Sequence, residues 1–116
     1  MTIREPVGVV AAIIPWNVPM YLMALKIAPA LVAGNTVVVK SAEEAPLCCL
    51  RVCQLLNQIL PPGVFNILSG DGPVCGGPLA AHEDIAERLP LGGRPRLAKI
   101  QIFLQLCLQC LSHGGF

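Results

Sequence analysis

Charge is scarce in this 116-residue chain: 13% of its residues are Asp, Glu, Lys or Arg, against 54% that are hydrophobic. So much apolar surface with so little charge excludes intrinsic disorder. Aromatic residues are scarcer still, with three Phe, one Trp and one Tyr, and none lies among Arg88, Arg94, Arg96 and Lys99. A short basic run without interleaved aromatics gives no nucleic-acid site. Long uninterrupted apolar runs are missing as well. The longest, around residues 7–14, 20–33 and 100–111, are broken by Lys26, Gly34 or Gln105 and fall short of the roughly 20 residues that a bilayer demands. No transmembrane span is expected, despite a mean hydropathy of +0.67. No export signal is expected either: Arg4 and Glu5 follow Met1 closely, and no small-residue cleavage site closes an apolar region. The expected location is cytoplasmic, with the six cysteines as thiols. The length leaves room for one core.

What is present is punctuation. Eleven Gly and eleven Pro without a short period imply sharp turns between short apolar elements, the pattern of a buried parallel sheet with covering helices. Val7 to Ile14 is a β-branched apolar run that ends at Pro15 and reads as a strand buried on both faces. Met20 to Ala33 reads as an apolar helix with Pro19 at a tolerable first-turn position, shortened or kinked at Pro29 and stopped by Gly34. Thr36 to Val39 forms a second strand leading to Lys40, and Pro46 to Leu60 a helix with Leu47, Leu50, Leu55, Leu56 and Ile59 on its apolar face. Val64 to Leu68 reads as a third strand, after which Gly70 to Pro73 turns into a helix reaching about His82. The order βαβαβα, with short connections, predicts an α/β fold: a partial doubly wound, Rossmann-like parallel sheet with right-handed crossovers, followed by a C-terminal helix.

Charge divides the chain unevenly. Residues 1–87 carry four basic residues against all seven acids, and the remainder carries four basic residues and no acid. Beyond Ile85 the periodic pattern breaks, so residues 1–85 read as one unit, 86–96 as an irregular linker and 97–116 as a divergent tail with a helix from Leu97 to Leu111. In that helix Gln101, Gln105 and Gln109 leave only a narrow polar stripe, so it needs a partner, and self-association through it is one way to find one.

In doubly wound sheets ligands gather at the carboxyl ends of the strands, and three loops there hold distinctive residues. The first is Ile14-Pro15-Trp16-Asn17-Val18-Pro19. Two prolines stiffen it around an Asn that could donate to an oxygen gaining negative charge, or could simply cap the next helix; Trp16 could equally be a packing residue. The second holds Lys40 and Glu43, positioned to grip a ribose diol, or to form a surface ion pair with acids at a helix start. The third, Gly70-Asp71-Gly72-Pro73-Val74-Cys75-Gly76, has the spacing of a glycine loop that a ligand approaches closely, or of a tight turn. Cys48, Cys49 and Cys53 read as small apolar residues of the second helix, and Cys75 alone sits near a helix start where its thiol could be activated. Cys107, Cys110 and His113 are too few for a structural zinc site, so no metal is expected.

Four segments together, Arg4-Glu5-Pro6-Val7-Gly8-Val9-Val10, Ile13-Ile14-Pro15-Trp16-Asn17-Val18-Pro19, Lys26 through Lys40, and Pro61-Pro62-Gly63-Val64-Phe65-Asn66, resemble the aldehyde dehydrogenase superfamily. The resemblance covers about residues 4–85, in the order and spacing of that family's NAD(P)-binding domain. It implies that Asn17 is the side-chain amide of an oxyanion hole. It implies that Lys40 and Glu43 take the adenosine ribose hydroxyls, that the backbone at Ile13, Ile14, Pro15 and Trp16 lines the cofactor cleft, and that Gly72 and Gly76 border the adenine. The implied cofactor is NAD, with NADP possible because Lys40 could offset the repulsion between Glu43 and a 2′-phosphate. The implied reaction begins with thiolate attack on an aldehyde and passes hydride to NAD(P)+. It ends when a water activated by a glutamate hydrolyses the thioester.

The sequence departs from the family after Ile85, where Ala86-Glu87-Arg88-Leu89-Pro90-Leu91-Gly92-Gly93 replaces a strand and the glycine-led helix start that cradles the pyrophosphate. None of the six cysteines matches the nucleophile's motif. The nucleophile and the glutamate base are therefore expected to lie beyond this chain, which reads as a truncated or alternatively spliced product, or an erroneous gene model, inactive alone. The alternative is a non-catalytic module that binds a nucleotide or another protein.

Overall fold

The computed structural model describes residues 5–89, with side chains through residue 86. Strand β1 (Val9–Ile13) leads to helix α1 (Pro19–Val32), strand β2 (Thr36–Ser41), helix α2 (Leu47–Leu56) and strand β3 (Phe65–Ser69). A π-helical turn at Gly72–Gly76 runs into the short helix α3 (Gly77–Ala81), and strand β4 (Ile85–Leu89) follows. All pairings are parallel, in the order β3-β2-β1-β4, so the expected α/β parallel sheet is present. No helix of the described residues is long and apolar enough to cross a membrane.

Three expectations need correction. The pattern does not break at Ile85: β4 takes the first four residues of the stretch read as irregular. It pairs with β1 through a register shift between Val9, opposite Ile85, and Val10, opposite Glu87. Backbone hydrogen bonds hold such a strand whatever its side chains, which is why Glu87 and Arg88 in the sequence hid it. Pro29 lies inside α1, which continues to Val32; the missing donor removes one rung and does not end the helix. Helix α2 stops at Leu56 instead of Leu60, with residues 57–59 in turns. The helix expected over residues 97–111, the remaining linker residues and the Cys107, Cys110, His113 group lie outside the described residues.

Rows of side chains explain the core. On one sheet face the register aligns Val10, Val37 and Phe65, then Ala12, Val39 and Ile67. Met23, Ile27 and Ala30 of α1 and Cys49 and Cys53 of α2 close over those rows. On the other face Ala11 is buried, but Ile13 and Val38 are half-buried and Leu68 is exposed; α3 contributes no buried residue to cover them. The turn from α1 to β2 is fixed by backbone chemistry. Gly34, at φ +81°, donates its N–H to Leu31 O at 2.9 Å while Asn35 N–H reaches Ala30 O at 3.1 Å, the paired bonds of a Schellman cap. Asn35 then reaches back: its Oδ1 accepts from Val7 and Gly8 N–H at 2.7 and 3.0 Å, and its Nδ2 donates to Ala30 O at 3.0 Å. One buried amide thus ties the entry of β1 to the end of α1.

Candidate functional site at the carboxyl ends of the strands

Because the sheet is parallel, Ile13, Ser41 and Ser69 end their strands at one edge, where Ile13 pairs with Lys40 and Ser41 with Ser69. The three loops singled out in the sequence leave from that edge. The second and third meet. Lys40 points to the face opposite Val39, is buried (5% exposed), and holds its Nζ 4.0 Å from Glu43 Oε2. The same Glu43 oxygen accepts Gly72 N–H at 3.1 Å. Gly76 is buried beside the Lys40 stem, where an added Cβ would stand 4.0 Å from Lys40 Cδ, whereas at Gly72 it would meet nothing within 4 Å. Lys40, Glu43, Gly72 and Gly76 therefore form one cluster. At 4.0 Å with an exposed carboxylate, the ion pair contributes little to stability. What the arrangement does is aim a carboxylate, one of whose oxygens is already engaged by the backbone, at open space above a glycine. Such a group can accept hydrogen bonds from a pair of hydroxyls.

The first loop joins that cluster through its backbone. Trp16 and Asn17 are exposed, and Pro15 is half-buried. Ile14 turns its side chain into the core at 1% exposure and donates its N–H to Lys40 O at 2.9 Å, so only its backbone is at the edge. The Ile13 carbonyl accepts a hydrogen bond from Lys26 Nζ at 2.6 Å.

Lys26 is the residue the site reading missed. It is buried at 8% exposure, and burial lowers its pKa from 10.5 to about 8. A signal existed in the sequence: Lys26 shares the helical face of Met23, Ile27 and Ala30, and a lysine on an apolar stripe is buried unless it can snorkel to water. Two thiols of α2, those of Cys49 and Cys53, are unsuited to nucleophilic work. Burial, reinforced by neighbouring Cys48, pushes Cys49 up to about 11, and burial also raises Cys53. Cys75 is half-buried in the π-helical turn, packed against Gly70, where an added Cβ would lie 3.2 Å from the Cys75 Cβ. Among the described residues no group of three His, Cys, Asp or Glu side chains could hold a metal ion.

Comparison with known proteins extends the geometry. The family model described as "Aldehyde dehydrogenase family" matches residues 1–99, further than the resemblance read to residue 85. The (Z)-2-((N-methylformamido)methylene)-5-hydroxybutyrolactone dehydrogenase of Acinetobacter baylyi is 50% identical over 98 residues, 84% of this chain and 20% of its own length. Aminoacetaldehyde dehydrogenase of Pseudomonas aeruginosa is 51% identical over 87 residues, 74% of this chain and 18% of its own. Among solved structures, PnpE in complex with nicotinamide adenine dinucleotide matches with a TM-score of 0.77 at 39% identity, covering 90% of this chain and 22% of that one. Glyceraldehyde-3-phosphate dehydrogenase GapN of Methanocaldococcus jannaschii, complexed with NADP, gives 0.75 at 34% identity over 89% and 23%. The chain spans about a fifth of the length of the curated relatives it matches.

Proposed function

The chain belongs to the aldehyde dehydrogenase family, and from that premise we propose that its strand ends form the adenosine half of a nicotinamide dinucleotide site serving NAD(P)-dependent oxidation of an aldehyde to a carboxylic acid. The observation that carries this reading is the Glu43 carboxylate, held by Gly72 N–H at 3.1 Å beside Lys40. It stands just past the second strand, where a doubly wound fold grips a ribose diol. The residues fit such a ligand: a hydrogen-bond acceptor and a buried ammonium converge on one spot, and the open space at Gly72 admits a flat ring. Glu43 and Lys40 would take the ribose hydroxyls, Gly72 and Gly76 would border the adenine, and the backbone from Ile13 to Trp16 would line the cleft. When bound, the nicotinamide supplies a hydride acceptor. Asn17, exposed on a loop stiffened by Pro15 and Pro19, would donate its amide to the aldehyde oxygen as that oxygen gains charge.

Glu43 favours a free ribose 2′-hydroxyl over a 2′-phosphate, so NAD+ is the expected cofactor. Titration calorimetry of the full chain tests this, with NAD+ expected to bind more tightly than NADP+. Glu43→Ala should weaken NAD+ at least about tenfold, since a hydrogen bond to a charged group contributes about 1.5–3 kcal/mol. Undiminished NAD+ affinity in that variant, or preference for NADP+, would overturn the role given to Glu43.

The chain by itself is proposed to oxidise no aldehyde, because none of its cysteines sits in the family's nucleophile motif. A second reading, a non-catalytic module that binds a nucleotide or another chain, is favoured by Trp16, Val18, Met20 and Tyr21, which stand exposed together around the start of α1. Self-association through the tail belongs to the same reading. Sedimentation velocity over a range of concentrations distinguishes a monomer from such an assembly.

A further inference from the structure

The peptide that joins Ile13 to Ile14 is held from both sides. Its N–H bonds to Lys40 O of β2 at 2.9 Å, so its C=O, pointing the opposite way, faces the β4 side. There the described pairing ends one residue earlier, at Ala12 opposite Leu89. Lys26, two helical turns into α1, reaches this carbonyl with its Nζ at 2.6 Å. Burying an ammonium costs free energy that an apolar side chain of similar length would not. A charge-assisted hydrogen bond to the Ile13 carbonyl offsets part of that cost. Immediately after the clamped peptide come Pro15, Trp16 and Asn17, and Pro19 opens α1.

We infer that Lys26 is a positioning residue: by gripping the Ile13 carbonyl from α1, it closes the loop between β1 and α1 into a braced ring and sets the direction in which Trp16 and Asn17 leave the strand. The functional part of this inference rests on the reading of that loop as the border of the cofactor cleft. Lys26 touches no ligand in this role and acts through the Ile13 backbone.

Trp16 is the only tryptophan in the sequence and sits inside the braced loop, so its emission reports the loop without labelling. The test compares wild-type chain with Lys26→Met, which keeps the length and removes the donor, and with Lys26→Arg, which restores N–H donors, all without nucleotide. In Lys26→Met the amplitude of fast Trp16 depolarisation should rise roughly twofold as the loop gains nanosecond freedom, with far-UV circular dichroism unchanged. Lys26→Arg should return it toward the wild-type value. Lys26→Leu serves as a second donor-free variant. Unchanged Trp16 depolarisation in a folded Met or Leu variant overturns the inference. So does failure of both to fold, since Lys26 would then hold the fold and not the loop. NAD+ calorimetry on the wild type is read separately, so absence of nucleotide binding would sink the cofactor reading and leave the loop brace standing.

Discussion

At the residue scale, two buried polar side chains do different work. Asn35 satisfies three backbone groups at once, so Asn35→Ala leaves two donors, Val7 and Gly8 N–H, to find water, while Ala30 O keeps the backbone N–H of residue 35. Val7 and Gly8 are exposed, which lets water replace part of the loss. Urea unfolding should therefore show a loss of about 2 kcal/mol, within the range for unsatisfied buried groups. Lys26 instead makes stability depend on pH. Its folded pKa of about 8 lies below the usual 10.5, so under pH 8 both states are charged and the burial cost, roughly 3 kcal/mol from the size of the shift, is fully present. As pH rises past 8 the folded chain gives up this proton first, the unfolded chain binds more protons, and stability increases. Cys49 acts in the opposite sense: its thiol, raised from 9.0 to about 11, stays protonated in the folded state while the unfolded thiol ionises, so stability falls above about pH 9. The expected outcome under reducing conditions is a urea midpoint that climbs between pH 8 and 9 and then levels. In Lys26→Met the climb should vanish. A wild-type midpoint that is flat across that interval would show that Lys26 bears no such burial cost.

At the scale of elements, legibility followed from how much each segment depends on its own residues. Strands β1 and β2 were readable because a buried face selects short β-branched runs, β3 because Phe65 and Ile67 alternate with the exposed Asn66 and Leu68, and α1 because Pro19 and Gly34 mark its ends with opposite backbone requirements. Strand β4 was not readable: Glu87 and Arg88 interrupt any apolar pattern, and what holds the segment is a ladder to β1, more than seventy residues earlier in sequence. The π-helical turn at Gly72–Gly76 has no period to detect, although its glycines did point to the right loop. The cluster of Lys40, Glu43, Gly72 and Gly76 was legible as strand-end residues in a parallel sheet. The Lys26 contact with Ile13 was not, because it needs the angle of α1 across the sheet. The cap of α1 gives an element-level test. Gly34→Ala forces a side chain onto a φ of +81° and places its Cβ 3.1 Å from Pro6 Cγ. The cost should exceed about 1 kcal/mol, the usual penalty for a residue other than glycine in the left-handed region. Thermal unfolding should show it as a lowered midpoint, and an unchanged midpoint would mean that the turn relaxes freely.

At the scale of the whole molecule, the two faces of the sheet differ among the described residues. Helices α1 and α2 seal one face, whereas on the other Ile13 and Val38 are half-buried, Leu68 is exposed and α3 contributes no buried residue. Trp16, Tyr21, Val32, Leu47 and Ile59 add apolar surface, each more than half exposed. If, as proposed, no cysteine of this chain serves as the nucleophile, spectrophotometry at the NADH absorbance band with pure chain, NAD+ and a panel of aldehydes should register no rate; a steady aldehyde-dependent rate would place a working nucleophile among the cysteines present. The same imbalance bears on stability. A single small core contributes little beyond the conformational entropy it must overcome, and the exposed apolar side chains around the start of α1 favour association over a free monomer. The tail from Leu97 to Leu111, apolar except for Lys99 and its Gln101-Gln105-Gln109 stripe, adds further apolar side chains that favour burial. Heating the purified chain while recording circular dichroism and light scattering together should therefore give a broad transition in which scattering rises with unfolding and the signal fails to return on cooling. The onset should move to lower temperature as protein concentration increases, because association is the step that competes with refolding. A sharp, reversible, concentration-independent transition of a monomer would refute this, and would mean that the tail completes the second face of the sheet.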